Sequence, residues 1–138
     1  MKRLILLLVL TLQVLCACGQ VLYIFGGSKH DVYLGKLNAD KYDSESIWNS
    51  YGTYGSKYSS NSIWNSYGTY GGEYSSYSPF NAYAQYPPVI VDNSGNFYGY
   101  FTVNQYKSQR ADFGLVNMIY KFYDLMREDI SAWYEKLF

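Results

Sequence analysis

A sixteen-residue repeat constrains this chain more than any other feature. Residues 46–61 read S-I-W-N-S-Y-G-T-Y-G-S-K-Y-S-S-N and residues 62–77 read S-I-W-N-S-Y-G-T-Y-G-G-E-Y-S-S-Y, identical over the first ten positions. A degenerate third copy begins S-P-F-N-A-Y-A at Ser78, and Tyr42-Asp43-Ser44-Glu45 matches the tail of an earlier one. Units this short cannot bury an apolar face alone and must stack on one another. Gly52, Gly55, Gly68 and Gly71 punctuate the units too often for a regular helix.

The recurring residue types carry the physical expectation. Ser46, Ser62 and Ser78 open the units, where a hydroxyl can cap a short turn of backbone. Trp48, Trp64 and Phe80 put one large aromatic at the same step of each unit, as a core ladder stacked in register. Asn49, Asn65 and Asn81 follow, able to bond the local backbone or to accept positive φ. The region is expected to fold as short turns and brief strands.

Ten of the eighteen tyrosines lie between Tyr42 and Tyr86, and the only charges from Ser46 to Pro88 are Lys57 and Glu73. One reading is a tyrosine-rich core and surface with phenol hydroxyls reaching solvent. A second is a carbohydrate-binding face, in which Tyr51, Tyr54, Tyr67 and Tyr70 stack on pyranose rings while Asn and Ser bond the hydroxyls. A third is a low-complexity, aggregation-prone segment, against which the fixed register argues. The sugar-binding reading requires the four tyrosines exposed in a row, whereas the scaffold reading buries most of them.

Past Pro87-Pro88, Val89–Val91 and Asn96–Val103 flank a turn cluster, Asp92-Asn93-Ser94-Gly95, and predict a β-hairpin. Strand alternation nominates Phe97 and Phe101 for the core. Asp92, Ser94 and Asn96 resemble the start of a calcium loop, but the downstream bidentate Glu is missing and a turn is the expected role. Val116, Ile119, Tyr123, Met126, Ile130, Trp133 and Leu137 then recur at spacings of three and four. They predict one amphipathic helix over 111–136, docked on its own domain.

The start of the chain is a separate matter. Lys2 and Arg3, an apolar run from Leu4 to Leu12 and a small-residue zone mark a secretory signal. Leu15-Cys16-Ala17-Cys18 fits a lipoprotein cleavage pattern, with Cys18 as the lipid-attachment residue and 1–17 removed. Cleavage after Gly19, releasing a soluble protein, and an uncleaved anchor are the competing readings. With Cys18 lipidated, the mature domain has no free cysteine and folds without disulfides. Removal of Lys2 and Arg3 takes the charge balance from 11 − 11 to 9 − 11, or −2. That offers no basic surface for nucleic acid.

Chemistry-bearing patterns are sparse. His30, the lone histidine, neighbours Asp31, but sequence adjacency is not a triad and no nucleophile signature appears. One histidine cannot assemble the usual zinc sets, and Asp40, Asp43 and Glu45 are too scattered to argue an acid–base pair. No catalytic residue, metal site or cofactor is expected. An enzyme would need a cleft gathering His30 with carboxylates such as Asp31 and Asp43.

The stretch from Tyr33 to Asn104, about half of the chain, resembles a group of small bacterial exported proteins of uncharacterised function. Their shared pattern runs Y-L-G-K-L-N, copies of S-I-W-N-x-Y-G-x-Y-G-S-x-Y-S, then P-P-V-I-V-D-x-x-G-N-F-Y-G-Y-F-T-V-N. The resemblance implies that the stretch is one module with an accessory or binding role, and it carries no established activity. Relatives often have cysteines where this chain has Lys36 and Ala39.

The expected architecture is a small α+β domain of short strands and turns, a β-hairpin and a C-terminal amphipathic helix. Its plan is a signal peptide at 1–17, a tether and first strand at 18–32, the repeat module with hairpin at 33–104, and the helix at 105–138. The expected role is a non-enzymatic, extracytoplasmic structural or interaction module, held to the membrane by an N-terminal lipid. A carbohydrate- or peptidoglycan-binding module is the rival, and an enzyme the third option. Cell-wall glycan or an envelope protein are the candidate partners.

Overall fold

Between residues 37 and 88 the backbone forms neither strand nor helix, apart from one isolated bridge joining Lys36 to Ser46. The computed structural model describes residues 20–138. The signal segment and the proposed lipid site at Cys18 lie outside the described residues. In place of the brief strands expected for the repeats, the chain advances as a ribbon of consecutive turns. Amide-to-carbonyl bonds run Asn49→Ser46, Gly52→Asn49, Ser56→Gly52, Ser59→Ser56 and Ser62→Ser59, and the next unit repeats them from Asn65→Ser62 to Ser78→Ser75. Four steps of three residues and one of four therefore make up the period, and this explains why it is sixteen.

Side chains hold this ribbon where a strand would use a neighbouring strand. The hydroxyls of Ser46, Ser62 and Ser78 accept from the amides of Trp48, Trp64 and Phe80 at 3.0–3.1 Å. Asn49, Asn65 and Asn81 accept through Oδ1 from the amides of Tyr51, Tyr67 and Tyr83. Each Asn also donates through Nδ2 to a carbonyl six residues back: Asp43, Ser59 and Ser75. Side chains of this type compete with regular ladders by bonding their own backbone, and here that competition wins. None of the three Asn takes positive φ; among the described non-glycine residues only His30 and Gln109 do. Gly55 and Gly71 are required by close approach, since a Cβ would lie 1.9 Å from the Asn49 carbonyl oxygen and 2.3 Å from that of Asn65.

The coils stack through their aromatics. Ring centroids lie 5.6 Å apart for Trp48 and Trp64, and 6.0 Å for Trp64 and Phe80, all three side chains being buried. Each indole N–H is satisfied by the layer before it. Trp48 Nε1 donates to Leu37 O at 2.7 Å, and Trp64 Nε1 to Ile47 O at 2.6 Å. A buried indole needs such a partner, so these bonds also set the register of the stack.

Strands β1 (Leu22–Gly26), β2 (Val32–Lys36), β3 (Val89–Asp92) and β4 (Phe97–Tyr100) form one antiparallel sheet in the order β2-β1-β3-β4. Ile24, Leu34 and Ile90 on it are fully buried in the same core as the coil aromatics. The hairpin of β3 and β4 contains a bulge: Ile90 pairs with Gly99 but Val91 with Phe97. That shift overturns the expected core role of Phe97, which is 45% exposed and packs on Tyr100, while Phe101 is buried. A bulge changes which side chain meets the core because alternation has a strict period of two.

The single helix expected over 111–136 is two helices, α1 (Gly114–Glu128) and α2 (Ile130–Leu137). Asp129, at φ −151° and ψ 82°, leaves the helical region between them. Its amide donates to Met126 O, closing α1, and its side chain accepts from the Ala132 amide, capping α2. Val116, Ile119, Met126 and Ile130 are nevertheless buried, so the apolar stripe crosses the break. The pair runs back along the coils: Tyr120 meets Phe101, Tyr123 stacks on Phe80 at 4.3 Å, and Tyr134 and Phe138 cover Trp48. The whole is a small single domain, broadly α+β. Among the described residues no helix is long and apolar enough to cross a membrane.

Candidate functional site

Each coil presents its two tyrosine positions differently. Tyr51, Tyr67 and Tyr83 are 98%, 99% and 94% exposed. The Asn turn that precedes each fixes the backbone beneath the exposed ring. Tyr54 and Tyr70, three residues on, are half-buried. Tyr54 sits over Gly35 and edge-on to Tyr33 at 5.0 Å, and Tyr70 lies against Gly26. The four tyrosines therefore do not form one exposed row. Two face solvent and two fasten the coils to the sheet.

Further tyrosines along the coils are exposed as well. Tyr58 and Tyr74 occupy equivalent places in successive coils, and Tyr42 stands one period before Tyr58. The amides of Tyr42 and Tyr58 donate to the side chains two residues before them, Asp40 Oδ1 and Ser56 Oγ. Sequence reasoning missed one more unit. Thr102, Asn104 and Tyr106 repeat the pattern, with Asn104 accepting from Tyr106 and Tyr106 exposed. A signal was present, because Asn-x-Tyr recurs at 49–51, 65–67, 81–83 and 104–106, although 96–98 carries it too and leads into strand β4.

Where the helix break meets the coils, three adjoining depressions of about 200, 180 and 340 Å³ form a groove. Tyr42 and Tyr51 flank the first, Tyr51 and Tyr58 the second, and Tyr58 and Tyr67 the third. Ser50 and Ser131 lie in both of the first two, and Arg127 and Glu128 in both of the last two. Lys41, at the rim of the first, is paired with Glu135. Arg127 donates to Gly71 O at 3.3 Å, and its guanidinium carbon lies 5.6 and 5.5 Å from the centroids of the stacked Phe80 and Tyr123 rings.

The remaining ionisable groups do not converge. His30 bonds Pro87 O at 3.1 Å beyond one end of β2, whereas Asp43 is held by Lys36 at the other end, 2.9 Å away. Glu45 accepts from Tyr33 at 2.6 Å, and burial followed by this bond pushes the Tyr33 phenol well above its ordinary value. Asp92, buried in the hairpin, spends its oxygens internally. It accepts from the Ser94 and Asn96 amides and from the Asn96, Tyr98 and Gln20 side chains. These bonds, with the Asn96 side chain first, hold its carboxyl down at about 2. Its loop is thus closed by donors in the way of a turn anchor. Among the described residues no three His, Cys, Asp or Glu side chains cluster as metal ligands.

Comparison with protein-family profiles, curated proteins and solved structures finds no match to this chain.

Proposed function

We propose that this protein is a non-enzymatic, extracytoplasmic interaction module, tethered at Cys18 and displaying tyrosines on a stack of turns to bind envelope glycan. It belongs in this reading with the exported proteins that its repeat and hairpin resemble. One observation carries the proposal: Tyr51, Tyr67 and Tyr83 are almost wholly exposed at the same step of consecutive coils. Exposed aromatic rings forgo their burial energy, and a row of them on a rigid support is an aromatic platform without an intramolecular partner. The turn bonds lower the cost of binding, because the backbone beneath each ring is already ordered. Tyr54 and Tyr70 serve the scaffold instead, pinning the coils to β1 and β2.

The test is retention of the purified protein on insoluble peptidoglycan and polysaccharides, beside a Tyr51→Ala/Tyr67→Ala double variant. Retention of the parent and release of the folded variant is the expected result. Equal behaviour of the two proteins on every glycan would return the tyrosines to a purely structural or protein-contacting role.

A further inference from the structure

We infer that the end of the sheet carrying Gln20 and the β3–β4 turn is a membrane-contacting face, held against the phospholipid surface by the lipid on Cys18. The inference rests on the tether proposed above and adds to it an orientation and a contact surface.

The length of the tether comes first. Cys18 and Gln20 are two residues apart, and an extended chain spans at most about 3.6 Å per residue, so Gln20 lies within about 7 Å of the lipidated residue. Gln20 is already part of the fold. Its carbonyl accepts from Asn38 Nδ2 at 2.7 Å, and its side-chain amide donates to Asp92 Oδ2 at 2.7 Å. Asn38 Oδ1 also accepts from the Leu22 amide at 2.9 Å, which closes the clamp on the entering chain. A long flexible linker lets a domain stand off from its anchor. Here only Gly19 separates anchor from fold.

Sheet topology decides which surface is brought to the bilayer. Strands β1 and β3 are antiparallel and Leu22 pairs with Asp92, so the chain enters β1 at the end where β3 runs out into its turn. The β1–β2 turn, where Lys29 is exposed, lies at the other end, beyond the pairing of Gly26 with Val32. A strand of five residues sets the two ends about 16 Å apart.

The chemistry of the near end suits phospholipid. Asn93, Ser94, Gly95, Asn96 and Phe97 are exposed in succession, and no residue from Asn93 to Tyr106 is charged. The carboxylate beneath them, Asp92, is buried and bonded to the donors that close the turn, so it does not confront anionic headgroups. Amide and hydroxyl side chains bond phosphate and ester oxygens. Apolar rings of surface-bound segments bury at the boundary between headgroups and acyl chains, and Phe97, turned out of the core by the bulge, supplies one. The tether also limits reach. A domain of this size is about 35 Å across, so the tyrosines meet only ligands within about that distance of the bilayer.

The test uses the full chain, expressed with its signal segment, extracted from membranes and reconstituted into vesicles of phosphatidylethanolamine and phosphatidylglycerol. Ser94→Cys or Lys29→Cys carries a fluorophore, and lipids with a headgroup quencher report contact. With Cys18 acylated and Cys16 removed, the introduced thiol is the only one. Quenching is expected at 94 and not at 29. Phe97→Glu should lower the quenching at 94 while the protein stays in the vesicles. Insertion of about ten Gly and Ser residues after Gly19, with a reach of roughly 17 Å, should lower it too and serves if Phe97→Glu fails to fold. Equal quenching at the two positions, or quenching at 94 that neither change lowers, would overturn the membrane face while leaving the tether. Recovery of the parent as a soluble protein without acyl chains by mass spectrometry would overturn the tether and the membrane face together. Glycan binding would then still be decided by retention on insoluble polymers.

Discussion

The coil stack and the helix pair cover the same aromatic ladder, yet they acquire their backbone order by opposite routes. In α1 and α2 the amides bond within the helix, so side chains are free to specify only a buried stripe. That stripe is Val116, Ile119, Met126 and Ile130. In the coils no regular ladder exists, and Ser and Asn side chains must supply what the backbone lacks. The consequence is visible in what each region tolerates. A helix can change most exposed residues, whereas a coil is committed at its Ser, Trp, Asn and glycine positions together. Near-identity of the two full repeats is the chemical expression of that commitment.

Substitution does most damage at the ladder that both regions share. Trp64→Ala removes a fully buried indole and leaves the Ile47 carbonyl unpaired, which should cost about 3–5 kcal/mol. Denaturant unfolding would read this as a lower midpoint, and loss of the helical circular-dichroism signal in the same transition would show that coils and helices unfold together. Survival of the helices past the first transition would mean that they do not depend on the coils.

Gly55→Ala probes the coil alone. Its Cβ would collide with backbone of Asn49, which no side-chain adjustment relieves. A loss of about 1–3 kcal/mol is expected, the range for overpacking. A neutral result would show that the turn ribbon yields more readily than its bonding pattern implies. Asp129→Ala probes the helices alone, since it deletes the cap of α2 while sparing every coil contact. The expected cost is about 1 kcal/mol. Tyr134 and Phe138, which cover Trp48, should gain mobility as the end of α2 loosens, measurable by side-chain relaxation.

The smallest effect concerns the hairpin, where an acid side chain does for one turn what Ser and Asn do for the coils. Asp92 is held at about 2 in the folded protein, below the ordinary carboxylate value near 3.9. A carboxyl depressed on folding stabilises the native state fully above its unfolded value, and that contribution is lost as pH falls toward 2. Thermal stability of the parent should therefore fall between about pH 4 and 2 by more than that of Asp92→Asn. Parallel curves for the two proteins would remove Asp92 from the acid response.

Legibility differed along the chain for identifiable reasons. Turn formation at Ser46, Asn49 and their equivalents could be anticipated because it is local, a side chain bonding an amide two residues away. The strands expected inside the repeats did not form, because the bonds those amides would have offered to a neighbour were already spent. The hairpin was readable from its turn cluster, but the bulge that turned Phe97 outward was not. Bulges answer to what packs behind the sheet. Strand β2 went unrecognised as a strand because Val32–Lys36 runs straight into the repeat module. The break at Asp129 was masked by apolar spacing that continued across it, although Asp before Ile130 is a capping signal in its own right. Among the site residues, the sequence marked Tyr51 and Tyr67 but could not separate them from Tyr54 and Tyr70. Of the four, only Tyr51 and Tyr67 follow an Asn by two residues, but that Tyr54 and Tyr70 are covered rests on their contacts with Gly35 and Gly26.

By itself, then, the sequence determined the period, the turn chemistry and the apolar stripe of the C-terminal segment. All of these arise from residues within a few positions of one another. The tertiary structure alone decided which tyrosine of each unit faces solvent, where the sheet closes over the coils, and that Ser131 and Arg127 return to complete a groove begun by Tyr51 and Tyr58. Those outcomes join residues fifty to eighty positions apart, at distances where local propensity carries no information and packing decides.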